Sequence, residues 1–269
     1  MNALQEKKRK LEADLSGLGS VAVAFSAGVD STFLLKMAHR VLGDRVLAVT
    51  VNSGLSPKRE LKEAEAFCER EGITQTVIEI DALSIQGFRE NPVNRCYICK
   101  RELFKKIQKA AAERGIPHVA EGSNVDDEGD YRPGMQAIAE LGIKSPLREA
   151  GFTKEEIRKL SEEMGLPTWN KPSLACLASR FVYGETISRE KLDMVGKAEQ
   201  LLSDLGFHQV RVRIHGDLAR IEVLPSEFEK LTEEQVRDRV SRTLKELGFS
   251  YVTMDLIGYR TGSMNETLE

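Results

Sequence analysis

Short apolar runs alternate with amphipathic stretches through the first two thirds of the chain. Residues 20–25 (SVAVAF), 45–51 (RVLAVTV) and 74–80 (TQTVIEI) are apolar or β-branched runs of strand length, and each predicts a strand. A fourth strand is predicted near His118 to Glu121. Between them the periodicity lengthens and predicts helices over about 31–41, 61–72 and 100–115, which stop at glycines such as Gly72 and Gly115. The opening MNALQEKKRKLEADL reads as a further charged, amphipathic helix. Strands and helices alternating at this spacing predict an α/β fold built from βαβ units, a parallel sheet with helices on both faces. After Pro172 the rhythm changes. A helix over 187–206, two strands over 208–215 and 218–225, a helix over 233–248 and a last strand over 250–259 predict a smaller α+β domain. His215-Gly216-Asp217 marks a hairpin between its first two strands. The expected domains are residues 1–179 and 180–269.

Composition narrows the picture. The 269 residues are 41% hydrophobic, enough for a substantial core, and the net charge is −3 with a pI near 6.0. So balanced a charge gives no support for nucleic acid as the main partner, since neutralising phosphates needs a basic face, though it leaves room for a local basic pocket. No apolar run reaches bilayer length, and the first helix lacks the apolar segment of a secretion signal. A cytoplasmic protein is expected. Its four cysteines, Cys68, Cys96, Cys99 and Cys176, then read as thiols, metal ligands or catalysts rather than disulfides.

The strongest local signal is Phe25-Ser26-Ala27-Gly28-Val29-Asp30-Ser31, which follows the first strand and opens the first crossover helix. Small residues let the backbone approach a phosphate, a helix N-terminus offers N–H groups and positive potential, and the hydroxyls of Ser26 and Ser31 can donate. Asp30 makes sense there if it caps the helix or helps hold Mg²⁺; the plainer reading of the whole stretch is an N-cap with a glycine turn.

Cys96 and Cys99 stand three apart at the start of a predicted helix, on one face, where a helix N-terminus favours thiolate. Three readings of this pair are open: packed thiols, a zinc site completed by His118 or His215, and a [4Fe–4S] cluster that also uses Cys176. Cys68, inside an ordinary amphipathic helix, reads as core. Arg211 and Arg213 alternate on a strand and so share a face, as an anion site needs; with Arg180 they are candidates for a substrate phosphate. Glu199 and Glu222 either orient these arginines or hold a metal. Tyr97 could stack on a flat ring or pack as an ordinary aromatic, and Trp169 has no assignment.

The Ser26–Ser31 loop resembles the SGGxDS signature of the PP-loop, or N-type, ATP pyrophosphatases, with Ala27 in place of a glycine. Across nearly the whole chain a closer resemblance is to the LarE family of that group, the pyridinium-3,5-biscarboxylic acid mononucleotide sulfurtransferases. It is carried by RCYICKRELF, Glu121-Gly122-Ser123-Asn124-Val125-Asp126-Asp127, Asp130-Tyr131-Arg132-Pro133-Gly134, KPSLACLASR and VRVRIHG.

The resemblance implies an adenine nucleotide alpha hydrolase-like fold. It also implies an enzyme that uses ATP to adenylate a substrate carboxylate, releases AMP and pyrophosphate, and installs sulfur to form a thiocarboxylate for the nickel-pincer nucleotide of lactate racemase. ATP and pyrophosphate would bind at Ser26, Ala27, Gly28, Val29, Asp30, Ser31, Val51, Gly122, Asn124 and Asp127, with Mg²⁺ on Asp30 and Asp127. The substrate phosphate would take Ser179, Arg180, Arg211 and Arg213. Three cysteines at Cys96, Cys99 and Cys176 match the members that resemble cluster-dependent thiolases, whereas other members sacrifice the cysteine at the Cys176 position. The implied partners are a small nucleotide substrate, an unidentified sulfur donor (sulfide or a persulfide carrier) and further copies of the chain, in a homo-oligomer of the hexameric kind. Competing readings are a tRNA thiolase, an ammonia-using amidoligase and a non-catalytic nucleotide-binding protein.

Overall fold

The computed structural model describes residues 3–127, 133–172 and 175–266. Expectations resting on Asp130-Tyr131-Arg132 and on Ser173-Leu174 lie outside the described residues. The chain divides into two compact units, Met1–Ala82 with Cys96–Ser173, and Leu83–Arg95 with Leu174–Glu269.

The first unit holds a four-stranded parallel sheet of β1 (Val21–Ala24), β2 (Val46–Asn52), β3 (Gln75–Glu79) and β4 (Val119–Ala120), in the order β3-β2-β1-β4. Its helices are α1 (Ala3–Leu18), α2 (Val29–Leu42), α3 (Lys58–Glu71), α4 (Arg95–Ala112), α5 (Pro133–Glu140), α6 (Pro146–Glu149) and α7 (Lys154–Glu163). The strands are all parallel, with Val21 opposite Val46 and Ala22 opposite Val119.

Alternate strand residues face opposite ways. Val21, Val23, Val46, Ala48 and Ala120 join a core with Leu11 and Leu15 of α1, Phe33, Leu34 and Met37 of α2, Phe67 of α3 and Ile157 of α7. Ala22, Leu47, Val49 and Val119 join the opposite core with Phe104 and Ile107 of α4 and Ile138 of α5. Both faces are therefore covered, which is why the strands read as continuous apolar runs.

The strand order reverses at β1. The chain steps outward through β2 and β3, then returns to place β4 on the other side of β1. In open α/β sheets, ligands bind at the carboxyl ends of the strands beside such a reversal. Two segments leave the sheet there: Phe25–Ser31 after β1 and Glu121–Asp127 after β4.

The second unit carries α8 (Arg189–Asp204), β5 (Arg211–His215), β6 (Leu218–Glu222), α9 (Phe228–Thr232), α10 (Glu234–Glu246) and β7 (Tyr251–Met254). β5 and β6 are antiparallel around Gly216 (φ 60°), and β7 adds parallel to β6. One face of this sheet is apolar: Val212, Ile214, Ala219 and Ile221 are buried, as are Leu192, Val195, Ala198 and Leu202 of α8 and Val240 and Leu244 of α10. The other face carries Arg211, Arg213, His215, Arg220 and Glu222, placed together by the register Arg211–Glu222 and Arg213–Arg220.

The units part earlier than position 179/180, and the second takes in residues 83–95. Main-chain and side-chain bonds explain this. Asn91, in the left-handed conformation (φ 51°), donates from Nδ2 to the Val182 carbonyl at 2.6 Å and accepts from the Gly184 amide at 2.9 Å. The Ile187 amide donates to the Arg89 carbonyl at 2.8 Å. The excursion is thus tied to 182–187, and Arg95 stacks over Tyr183 at 4.6 Å.

Cys68 is 2% exposed inside the first core, as expected of a packing residue. Burial pushes its thiol up from the ordinary 9.0 to about 12, the opposite of what a nucleophile needs. Because the folded value lies above the unfolded one, Cys68 favours the fold below pH 9.0, and that contribution is lost as pH rises toward about 12. Urea titrations across this window should show wild type losing stability faster than Cys68→Ala. Parallel pH profiles would contradict the assignment.

Candidate functional site

The loop after β1 is built by one unusual residue. Ala27 has φ 53°, the left-handed region that side chains disfavour, yet it is 2% exposed with its methyl in the core. This turn swings the chain off the sheet edge into α2. Gly28 follows in extended conformation (φ −81°, ψ 170°) at the cap position, with no side chain capping the helix. By contrast Thr153 and Ser188 cap α7 and α8. The first turn of α2 therefore meets its surroundings as bare backbone, where an anion finds N–H donors and the positive end of the helix. The Ser26 and Ser31 hydroxyls lie 3.1 Å apart across the loop.

Gly122 brings the second segment in. A methyl group there would stand 3.0 Å from the Ser31 nitrogen and 3.2 Å from Asp30 backbone and Cβ atoms, so only glycine allows this approach. Asn124 then donates from Nδ2 to Asp30 Oδ1 at 3.3 Å, and its own amide donates to Asp127 Oδ2 at 3.0 Å. Asp30 is not the helix cap: its other oxygen is ion-paired to Lys154 at the start of α7. Ser26, Ala27, Gly28, Val29, Asp30, Ser31, Gly122, Asn124 and Asp127 are thus gathered at one end of the sheet, with Val51 near the end of β2.

Sequence reasoning missed the two lysines that border this loop. Lys154 pairs with Asp30, and its amide donates to Asp126 Oδ2 at 2.7 Å. Lys171 donates from Nζ to the Ala27 carbonyl at 2.9 Å and to Glu63 Oε2 at 2.5 Å. Both lie more than a hundred residues beyond the loop; Lys171 opens the KPSLACLASR stretch, but nothing there shows that it returns to Ala27.

In the second unit the charged sheet face is an ordered set of buried ion pairs. Arg180, 1% exposed, grips Glu199 with two bonds of 2.8 Å, and its Nη1 donates to the carbonyls of Ala175 and Cys176 at 2.8 and 3.1 Å. It also reaches Ser179 Oγ at 2.8 Å. Arg213 donates to the Ser179 carbonyl at 3.0 Å, to Glu222 at 2.8 Å and to the Ser263 hydroxyl at 3.0 Å. Glu222, fully buried, also accepts from Arg220 at 3.1 Å and Ser263 at 2.8 Å. Glu199 pairs with Arg180, and Glu222 with Arg213 and Arg220.

Arg211 is different. It is 4% exposed, donates to the Val210 carbonyl at 2.7 Å and lies over the Tyr259 ring at 5.2 Å. Burial, with the Arg180 charge beside it, lowers its pKa to about 10. A buried guanidinium destabilised by a neighbouring one is better tolerated with an anion bound. Arg180, Arg211, Arg213 and Ser179 are brought together as expected, although most of the Arg180 fork is already committed to Glu199 and main-chain carbonyls.

Cys96 and Cys99 lie in the first turns of α4, Cys96 exposed and Cys99 buried, and both belong to the first unit. Cys176 is exposed and belongs to the second, just before the 3-10 turn Leu177–Arg180. Among the described residues, no three His, Cys, Asp or Glu side chains come together to hold a metal ion. The half-buried Tyr97 hydrogen-bonds through its hydroxyl to Glu140 at 2.7 Å, while Trp169 is 38% exposed. Among the described residues no helix is long and apolar enough to cross a membrane.

Residues 4–105 match the family model described as NAD synthase, a stretch that holds the Ser26–Ser31 loop. The pyridinium-3,5-bisthiocarboxylic acid mononucleotide synthase of Lactiplantibacillus plantarum is 42% identical over 269 residues, 100% of this chain and 97% of that protein. The chain belongs to this LarE family. An uncharacterised protein of Synechocystis is 41% identical over 98% of this chain and 99% of its own length. More distantly, a glutamine-hydrolysing GMP synthase subunit of Methanococcus vannielii is 27% identical over 75% of this chain and 68% of its own. The loop at the sheet's reversal is the stretch in which the family signature lies.

Two outcomes are expected. In Gly28→Ala the new methyl would stand 3.4 Å from Ser26 Oγ, an ordinary contact, so the melting temperature should hold. ATP affinity should fall about tenfold or more, because charge-assisted backbone bonds to phosphate are blocked. Calorimetric titration with ATP checks this, and unchanged affinity would remove the loop from the phosphate site. Glu222→Leu leaves Arg213 and Arg220 without their buried counter-charge and should cost roughly 3–5 kcal/mol of stability. A shift under about 1 kcal/mol in urea unfolding would contradict the buried network.

Proposed function

We propose that this chain adenylates a carboxylate of pyridinium-3,5-biscarboxylic acid mononucleotide with ATP and replaces the activated oxygen with sulfur. The product is the thiocarboxylate used for the nickel-pincer nucleotide. The observation that carries this reading is the uncapped loop Ser26–Ser31 at the sheet reversal, in a chain that matches its synthase relative from end to end.

The chemistry follows from the groups present. Backbone N–H groups of the first turn of α2, with Ser26 and Ser31, hold the β- and γ-phosphates. This holds the leaving pyrophosphate and favours attack at the α-phosphorus. A substrate carboxylate oxygen forms the new P–O bond, the bond to pyrophosphate breaks, and an acyl-adenylate results. A sulfur nucleophile then adds at the acyl carbon and AMP departs with the oxygen. Asp30 and Asp127 are the Mg²⁺ ligands in this reading, with Asn124 linking them. Ser179, Arg180, Arg211 and Arg213 take the substrate phosphate, with Glu199 and Glu222 fixing the forks.

The sulfur step belongs to Cys96, Cys99 and Cys176. Three thiols, two of them one helical turn apart, are the donor set of a [4Fe–4S] cluster with one open iron, which would supply labile sulfide and spare the cysteines. The exposure of Cys176 supports a second reading, in which its own sulfur is given up. The protein works as a cytoplasmic homo-oligomer supplied by sulfide or a persulfide carrier.

Pyrophosphate should appear when the biscarboxylic acid mononucleotide is added to enzyme and MgATP, and not without it. After anaerobic reconstitution, wild type should carry iron and acid-labile sulfide that Cys96→Ala loses. Iron unaffected by that variant would return Cys176 to the sacrificial role. ATP cleavage indifferent to the substrate would overturn adenylation.

A further inference from the structure

Lys171 is built into the phosphate loop more firmly than a surface lysine would be. Its side chain is 14% exposed, and its Nζ donates to the carbonyl of Ala27, the left-handed residue that makes the turn. Its backbone is fixed as well. The Lys171 amide donates to the Thr168 carbonyl at 3.0 Å, and the Lys171 carbonyl accepts from Arg158 at 2.8 Å. Arg158 also holds the Trp169 carbonyl at 2.7 Å, so the segment that carries Lys171 is clamped to α7.

The charges around this ammonium are poorly matched. Glu63, its ion-pair partner, is 49% exposed, which makes the pair weak and easily exchanged. Glu60, one helical turn away on α3, has a buried oxygen, Oε1, with no hydrogen-bond partner. Burial raises the proton affinity of that carboxyl, against the pull of the Lys171 charge. One ammonium is thus paired with a half-exposed carboxylate, acts electrostatically on a second, and donates to the backbone of the Ala27 turn. Lys154 on the other side is differently held, because Asp30 is also fixed by Asn124.

We propose that Lys171 is a ligand of the pyrophosphate part of ATP, and that it exchanges its ion pair with Glu63 for that contact when the loop is occupied. The proposal rests on the ATP-cleaving reading above. No bond is made or broken in this step: one ammonium exchanges a half-exposed carboxylate for phosphate oxygens. Glu63 is released to solvent, where its charge is readily accommodated. The lysine thus competes for two anions, and the two residues should act on phosphate affinity in opposite directions.

Calorimetric titration with magnesium pyrophosphate and with ATP tests this on the full-length protein. Lys171→Met should weaken pyrophosphate binding about tenfold or more, the loss of one charge-assisted bond, and Lys171→Arg should recover much of it. Glu63→Gln leaves the lysine in place but ends the competition, and it should tighten pyrophosphate binding roughly two- to fivefold. This second variant decides the matter if Lys171→Met does not fold. Pyrophosphate affinity unchanged in Lys171→Met, or weakened in Glu63→Gln, would overturn the proposal while leaving the ATP reading intact. Failure of wild type to bind either ligand would overturn both.

Discussion

The loop cluster at the end of the first unit's sheet depends on how closely the chain leaving β4 can approach the first turn of α2. Gly122 sets that distance, since a Cβ there would stand 3.0–3.2 Å from the Ser31 nitrogen and Asp30, too close unless they shift. The close approach puts Asn124 against Asp30 and lets Lys154 reach the same carboxylate. Two segments almost a hundred residues apart are thereby fixed as one loop cluster at the sheet's reversal. The left-handed Ala27 completes the arrangement from the other side, and Lys171 grips its carbonyl. The Ser26–Ser31 loop is held in shape by its neighbours.

The second unit meets a different constraint. Its three-stranded sheet buries one face as an ordinary core and uses the other for charge. Register places Arg211 opposite Glu222, and Arg213 opposite Arg220, so two like charges face each other across the strands at the second of these pairs. Such an arrangement is costly unless carboxylates lie among the cations, and Glu222, Asp255 and Glu199 do. Asp255 illustrates the balance. Burial alone would raise its pKa, but the amides of Ile257 and Gly258 and the Arg260 guanidinium hold it below the usual range. Gly258 is required at that turn, where a side chain would strike the Val223 carbonyl. Arg211 lies over Tyr259, a neutral ring, and donates to the Val210 carbonyl.

Much of the fold was legible because its signals are local. The strands are apolar on both faces, so SVAVAF and RVLAVTV stand out, and their parallel pairing follows from the helices between them. The loop Ser26–Ser31 announces itself by small residues at a strand-to-helix junction. What was not legible depends on contacts between distant residues. Nothing in TKEEIRKLSEE or TWNKP says that Lys154 and Lys171 return to residues 30 and 27. Nor could composition reveal that residues 83–95 pair with 182–187, because that depends on Asn91 taking a left-handed turn and offering its amide to Val182. Glu199 and Glu222 looked like metal ligands as readily as arginine partners; only the burial of Arg180 and Arg213 distinguishes the two.

The central claim is that ATP activates a substrate carboxylate by transferring AMP to its oxygen. The most direct measurement uses pyridinium-3,5-biscarboxylic acid mononucleotide labelled with ¹⁸O in its carboxylates, with mass analysis of the AMP released during turnover. The account predicts that each AMP carries one labelled oxygen on phosphorus, drawn from the carboxylate that becomes a thiocarboxylate. AMP bearing only unlabelled or solvent oxygen would mean that the carboxylate never attacked the α-phosphorus, and would contradict the account.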